Sequence, residues 1–313
     1  MNKEVSQRKA RALRFIVLMG LVSLFGDIVY EGARGVTGPY LALLGASAFA
    51  VGLVGGLGEF IGYALRLLSG FIADRTKAYW FFTFIGYGLI FSIPLLSFAN
   101  SWWVAALFII MERAGKAFRS PARDTILSYA TKEVGRGFGF GIHEALDQIG
   151  AIVGPLIFSF IIFFGGDYRA GFSILWIPAL IVIVILVIAR NQLPHPEKLE
   201  TSEEPEEKDS KIFSRVFILY SLFTFLSVAG FANFPLISYH LKIKSIMSDV
   251  QIPTFYALAM GVDAIVAILI GKAYDRVGLK TLMVIPLLSL FIPFLAFSNS
   301  IASVIIGVIL WGG

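Results

Sequence analysis

The chain has 313 residues, of which 57% are hydrophobic and 15% charged, and its mean hydropathy is +0.81. An average soluble domain carries about 25% charged residues, so the composition excludes a water-soluble globular protein, and zero cysteine excludes disulfides and thiolate metal sites. A net charge of +5 and a pI near 9.3 raise nucleic acid as a partner, a reading that the placement of the charges argues against.

Lys3, Arg8, Lys9, Arg11 and Arg14 precede the first apolar run. No small-residue cleavage site follows and the run is too long for a signal-peptide core, so it reads as a retained first helix. Apolar stretches of roughly 20 residues, enough to cross a hydrocarbon core, then recur along nearly the whole chain. Strand alternation is missing, which points to an all-α integral membrane protein and not to a barrel. The predicted helices are 13–42, 47–69, 78–98, 101–118, 137–165, 169–189, 215–240, 252–271 and 280–298, with a tenth starting near Ile301. Trp311, Gly312 and Gly313 fall inside that last apolar run, so the expectation is a piece of a longer, six-plus-six protein.

Three segments follow. Residues 1–190 form an expected N-terminal six-helix bundle, and 215–313 a partial C-terminal bundle of helices 7–9 and the start of 10. Between them, 191–214 contains Glu203-Glu204-Pro205-Glu206-Glu207-Lys208-Asp209, too polar to bury a core of its own, and reads as an acidic cytoplasmic linker. With the N-terminus in the cytoplasm, 20 of the 26 Lys and Arg fall on that face, counting five in the loop between helices 4 and 5. This is the positive-inside pattern, so the basic charge meets anionic lipid and not nucleic acid.

Ionisable residues recur inside the spans, where each costs a few kcal/mol or more and normally faces a protein interior or a wet cavity. Asp27, Glu31 and Arg34 share one face of helix 1, and Glu59 and Arg66 one face of helix 2. Helix 4 carries Glu112 and Arg113, helix 5 Glu144 and Asp147, and helix 8 Asp263. Seven acids stand against three arginines, an excess of four that is unfavourable in low dielectric. Some of the acids are therefore expected to bind protons, with Glu31 and Asp147 preferred, and an Arg113–Asp27 pair is the expected fixed ion pair. The proton and substrate cavity is expected to be lined by Asp27, Glu31, Arg34, Glu59, Arg66, Arg113, Glu144, Asp147 and Asp263.

A Gly-x-x-x-Asp-Arg signature occurs twice, as Gly70 to Asp74-Arg75 and Gly271 to Asp275-Arg276, each read as a short polar break between apolar segments. A break repeated at matching positions of two hydropathic halves is the mark of an internally duplicated secondary transporter. At these residues the chain resembles the major facilitator superfamily. The second copy is the fuller, with Gly278 and Lys280 in register, whereas the first has Lys77 where the family usually has glycine. Arg113 resembles the family's buried basic residue, and Gly150, Gly154 and Pro155 resemble its helix 5 motif, which here lacks the further glycines that go with antiport.

The resemblance implies two six-helix bundles rocking about a mid-membrane site. Gly70, Asp74, Arg75, Gly271, Asp275, Arg276 and Gly278 would form a cytoplasmic gate, with Asp275 meeting the start of helix 5 near Arg136 and Gly137. Gly150, Gly154 and Pro155 would form a helix 5 hinge. The expected function is proton-coupled movement of a small organic solute across the cell membrane by a monomeric carrier without cofactor or metal. Efflux of cationic or amphipathic compounds is mildly favoured, and uptake of an organic anion is kept open by Arg34 and Arg66. A membrane-embedded hydrolase lacks a nucleophile with its base, since His143, His195 and His240 are the only histidines. A transport-inactive receptor or assembly subunit is the remaining alternative.

Overall fold

Helices account for nearly all of the chain because apolar backbone in lipid must satisfy its hydrogen bonds internally. The structure, a computed structural model, describes residues 2–196, 215–229 and 231–313. The predicted linker residues 197–214 therefore lie outside the described residues, as does the side chain of Asp275.

The first half comprises α1 (Asn2–Leu43), α2 (Ala48–Thr76), α3 (Tyr79–Gly88) continued by 3-10 turns to Phe98, α4 (Trp102–Thr131) and α5 (Arg136–Phe163). A sixth traverse follows as α6 (Tyr168–Ile174) and α7 (Trp176–Gln192). The second half comprises α8 (Arg215–Ala229), α9 (Phe234–Ile243), α10 (Gln251–Val277), a 3-10 segment Gly278–Met283, α11 (Val284–Ala296) and α12 (Ile301–Gly312). Among the described residues there is no strand. Six helical stretches are long and apolar enough to cross a membrane: 6–43, 48–76, 79–98, 136–163, 168–192 and 251–270.

Three boundaries differ from the sequence expectation. Helix 4 runs to Thr131 and not to 118, continuing through Pro121. The predicted helix 215–240 is two helices, α8 ending at Ala229 and α9 restarting behind an Asn233 cap whose side chain accepts from Leu236 N, with Pro235 in the first turn. Both Gly-x-x-x-Asp-Arg copies lie within helix ends and not in polar breaks, at the last turns of α2 and α10. In each, the residue seven after the glycine takes a left-handed backbone, Lys77 at φ 56° and Gly278 at φ 68°. A Cβ on Gly278 meets nothing within 4 Å, so its cost is purely conformational. Gly278→Ala is therefore expected to lower the unfolding free energy by about 1 kcal/mol and Gly278→Asn by less, read by thermal unfolding in detergent.

Each half has its own apolar core. In the first, Val29, Val36, Val51, Ile90, Leu96 and Phe172 meet around α1, and in the second Phe234, Ile237, Ile252, Tyr256 and Val308 pack together. Large apolar side chains face outward, Leu67 at 81% exposure and Phe294 at 76%, as lipid-facing surfaces require. Helix α1 is the axle of the assembly, and its glycines let three different helices approach. Gly32 abuts Gly154 of α5, Gly35 abuts the Tyr256 ring of α10, and Gly38 abuts Pro235 and Ser238 of α9.

The halves touch at the end that carries the α1–α2 turn. Tyr239 OH donates to Ala46 O at 3.2 Å, Tyr168 OH to Asp249 Oδ1 at 2.8 Å, and Ser159 Oγ to Val250 O at 3.1 Å. Lys242 Nζ holds Asp249 at 2.6 Å. Helices α2 and α10 both start at this end and run 29 and 27 residues, roughly 40 Å at 1.5 Å per residue. Both motif copies accordingly lie at the opposite end.

Candidate functional site

Helical periodicity gathers the charged residues. On α1, Tyr30, Glu31 and Arg34 project toward α2 and α4, and on α4 Glu112, Lys116, Arg119 and Arg123 recur at helical spacing along one stripe. Tyr30, only 3% exposed, lies among three cations. Lys116 Nζ is 3.8 Å from its ring centroid, the Arg113 guanidinium carbon 5.1 Å and that of Arg34 6.0 Å, so the ring face offsets part of their desolvation. Arg34 also donates to Tyr30 OH at 3.0 Å and to Glu59 Oε1 at 3.2 Å, and stands 3.7 Å from Glu31. Arg113 shares the same Glu59 oxygen at 3.5 Å and reaches Glu112 at 3.9 Å. Deeper, Arg119 pairs with Glu112 at 3.2 Å, the two side chains 3% and 2% exposed. A cavity of about 120 Å3 opens among Tyr30, Arg34, Glu59, Tyr63, Arg66, Arg113 and Lys116.

A second polar group joins α1, α4 and α5. Arg123 Nη1 donates to Ser23 Oγ at 2.9 Å, and the Ser23 hydroxyl, 3.2 Å from His143 Nε2, is then free to donate to that ring. His143 Nδ1 and Asp147 Oδ1, one turn apart on α5, are both buried without a hydrogen-bond partner. Two bonds carry these groups across to the second half. Tyr256 OH of α10 donates to Glu31, and Gln148 Nε2 donates to Asp263 Oδ2 at 3.0 Å. Among the described residues no group of three or more His, Cys, Asp or Glu is placed to hold a metal ion.

The profile of the Major Facilitator Superfamily matches residues 16–313 of this chain. The chain belongs to that superfamily. It is 41% identical over 307 residues to an uncharacterised protein of Mycobacterium tuberculosis, covering 96% of this chain and 75% of the relative. Similarity extends to the multidrug resistance protein MdtH of Photorhabdus laumondii, 25% identical over 243 residues, 74% of this chain and 58% of the relative. Among solved structures, the nucleoside transporter NupG (D323A mutant) superposes with a TM-score of 0.71 over 95% of this chain and 79% of its own, at 16% identity, which establishes the shared fold. Membership makes this chain a multi-pass membrane protein of a transporter superfamily, whose members are generally carriers and not enzymes.

In this superfamily member the expected cavity residues do not form one set. Arg34, Glu59, Arg66 and Arg113 line the cavity, and Glu31, 7% exposed, adjoins them through Arg34. Asp27 and Asp147 lie between α1 and α5, within electrostatic reach of each other, and Asp263 accepts from Gln148, the residue after Asp147 on α5. Glu144 is exposed. The expected Arg113–Asp27 pair is not formed, because Glu59 and Glu112 occupy Arg113. At the expected gate, Asp74, Arg75 and Arg276 are exposed, and Gly70 packs near Pro121 of α4. The expected contact of Asp275 with the start of α5 falls outside the described residues. Of the expected hinge, Gly150 and Gly154 are close-packing points, Gly150 against Leu24 and Asp27 and Gly154 against Ile28 and Gly32, with Pro155 inside α5.

The sequence reading missed Tyr30, Tyr256, Ser23, Lys116, Arg119 and Arg123, and gave His143 no place in the site. The sequence count places the last three cations with the loop between helices 4 and 5, although Lys116 falls within the expected helix 101–118. Their spacing from Glu112, at steps of four, three and four residues, was the signal that helix 4 continues. Placing them inside, together with the Asp124 that pairs with Arg123 at 2.9 Å, raises the interior cations from three to six and the acids from seven to eight, so the excess of acids falls from four to two. Seventeen of the original twenty basic residues then remain on the predicted cytoplasmic face.

Proposed function

We propose that this protein is a secondary active transporter that moves a small organic solute across the cytoplasmic membrane by alternating access, with protons as the coupling ion. The observation that carries the reading is the position of the inter-half bonds. Three of them, Tyr168–Asp249, Tyr239–Ala46 and Ser159–Val250, gather at the α1–α2 end, while Glu31–Tyr256, beside the charged cavity, and Gln148–Asp263 lie further into the bundle. Halves that keep separate cores and meet through polar bonds concentrated toward one end can hinge there without disrupting either core. With the N-terminus cytoplasmic, as the basic residues favour, this end is extracytoplasmic and the conformation is closed to the outside.

The proton reading rests on Asp147. Its buried, unpartnered oxygen lies one turn from the equally unpartnered His143 Nδ1, with Asp27 facing from α1, Arg123 and Asp124 from α4, and Glu144 on its own helix. A buried carboxylate oxygen and a buried imidazole nitrogen, neither of them hydrogen-bonded, are two open positions in one polar group, and Glu31 carries the bond from Tyr256 across the halves. The cation-efflux reading loses support, because Lys116, Arg119 and Arg123 now offset the acids on which it depended. The multidrug name of the relative MdtH is what remains in its favour.

The test is solute uptake into proteoliposomes under an imposed proton gradient. Asp147→Asn is expected to abolish gradient-driven accumulation, a loss of tenfold or more, while leaving counterflow exchange of labelled solute in place. Glu31→Gln is expected to impair both modes, because it also weakens the link to Tyr256. Accumulation at the unmodified rate in both variants would remove proton coupling from the proposal.

A further inference from the structure

We infer that the cavity between α1, α2 and α4 is an anion site, taking a small organic solute through a carboxylate or phosphate head group, with Arg66 as its specificity residue. The inference rests on the carrier reading and names its substrate class. The cavity wall carries four cations, Arg34, Arg66, Arg113 and Lys116, and one acid, Glu59. The acid is already shared, since a single Glu59 oxygen lies 3.2 Å from Arg34 and 3.5 Å from Arg113. Among the described residues neither Arg66 nor Lys116 has a carboxylate within ion-pair distance. Arg66 has its guanidinium 5.4 Å from the Tyr63 ring centroid and its buried Nε without a hydrogen-bond partner. Lys116 lies on the face of Tyr30, with Glu31 and Asp27 beyond ion-pair distance but within electrostatic reach.

Partly burying two cations that no carboxylate pairs directly carries a cost, and an anion entering between them recovers it. Guanidinium groups present paired N–H donors that match the two oxygens of a carboxylate or phosphate. The rings of Tyr30 and Tyr63 supply apolar walls beside the head group, and about 120 Å3 accommodates that head group with a few further atoms. A cationic solute entering the same space meets four lining cations against one lining acid, with Glu31 and Glu112 set behind Arg34 and Arg113.

The test uses the protein purified in lipid-free, non-ionic detergent, with benzoate, phenyl phosphate and tetraethylammonium as probes and calorimetric titration as the readout. Saturable binding of benzoate or phenyl phosphate, and none of tetraethylammonium, is expected. Arg66→Gln should weaken anion binding tenfold or more, Arg66→Lys should recover part of it, and Arg190→Gln, a charge change at the exposed end of α7, should leave it unchanged. Glu59→Gln has opposite expected signs under the two substrate classes. It should tighten anion binding severalfold, whereas a cation site would be weakened by it. Melting temperatures of the unliganded variants identify any that fail to fold, in which case Arg66→Lys and Glu59→Gln carry the test.

Preferential binding of tetraethylammonium, anion affinity unaffected by Arg66→Gln, or saturation only by phosphatidylglycerol added to the micelles would each overturn the assignment. The last outcome would make the cavity a lipid head-group site. Because the titration needs no gradient and no flux, it can fail while transport stands, and it can succeed in a protein that does not couple to protons.

Discussion

Gly38→Ala is expected to push the two halves apart at the α1–α2 end and to shift the population toward the conformation in which that end is open. A methyl group there meets the carbonyl of Pro235, the Ser238 hydroxyl at 2.5 Å and the backbone nitrogen of Tyr239 at 2.7 Å. Backbone atoms at a helix start cannot step aside as a flexible side chain can, so the clash costs about 1–3 kcal/mol in the closed state. It costs nothing in a state where α1 and α9 have separated. At 1.4 kcal/mol per factor of ten, the populations shift by roughly 5- to 150-fold. The chain contains no cysteine, so Leu43→Cys and Ile243→Cys, both at exposed positions, provide a clean pair of spin-label sites. The expected result is a longer and broader distance distribution when Gly38→Ala is added. An unaltered distribution in a folded variant would mean that this contact does not hold the gate.

Removal of Glu112 is expected to have the largest effect on stability. Its carboxylate stands between Arg119 and Arg113, and at 2% exposure no water can replace it. Arg119 is already short of partners, since its Nη1 is buried without a hydrogen bond and its guanidinium carbon lies 5.2 Å from the Tyr87 ring centroid. Glu112→Ala leaves that charge uncompensated, a loss of about 3–5 kcal/mol. Arg119→Leu should cost less, because Arg113 still faces Glu112. In the double variant Glu112→Ala with Arg119→Leu, the penalty is expected to fall short of the sum by 1 kcal/mol or more. Reversible unfolding in mixed micelles, followed by circular dichroism, reads all three. A Glu112→Ala loss below about 1 kcal/mol would show that the pair is hydrated and not sealed.

The fold was legible because bilayer chemistry leaves few solutions. Runs of apolar residues marked most helices, and the repeated pairs Asp74-Arg75 and Asp275-Arg276 pointed to the superfamily. The errors came where polarity was taken for solvent. In α4, Lys116, Arg119 and Arg123 are polar because they face a buried stripe of charge, and hydropathy alone cannot separate such a stripe from a loop. The break near Asn233 was hidden for the opposite reason, since its flanks are as apolar as a helix interior. Individual partners were not legible either. The choice of Glu59 over Asp27 by Arg113 depends on how α2 crosses α4, and the meeting of Glu31 with Tyr256 spans 225 positions in the chain. Tyr30 carried no mark of its role in sequence, because an aromatic on a helix face is ordinary core until cations are found around it.

The two left-handed turns that follow the repeated signature are alike in shape and unlike in compliance. Lysine at position 77 has one narrow basin in that region, whereas glycine at position 278 is at ease across a wide one. If both turns bear the same load during each cycle, the later one yields first. The pair of turns then has a soft member and a stiff one, and the order in which they let go is written into a single side chain.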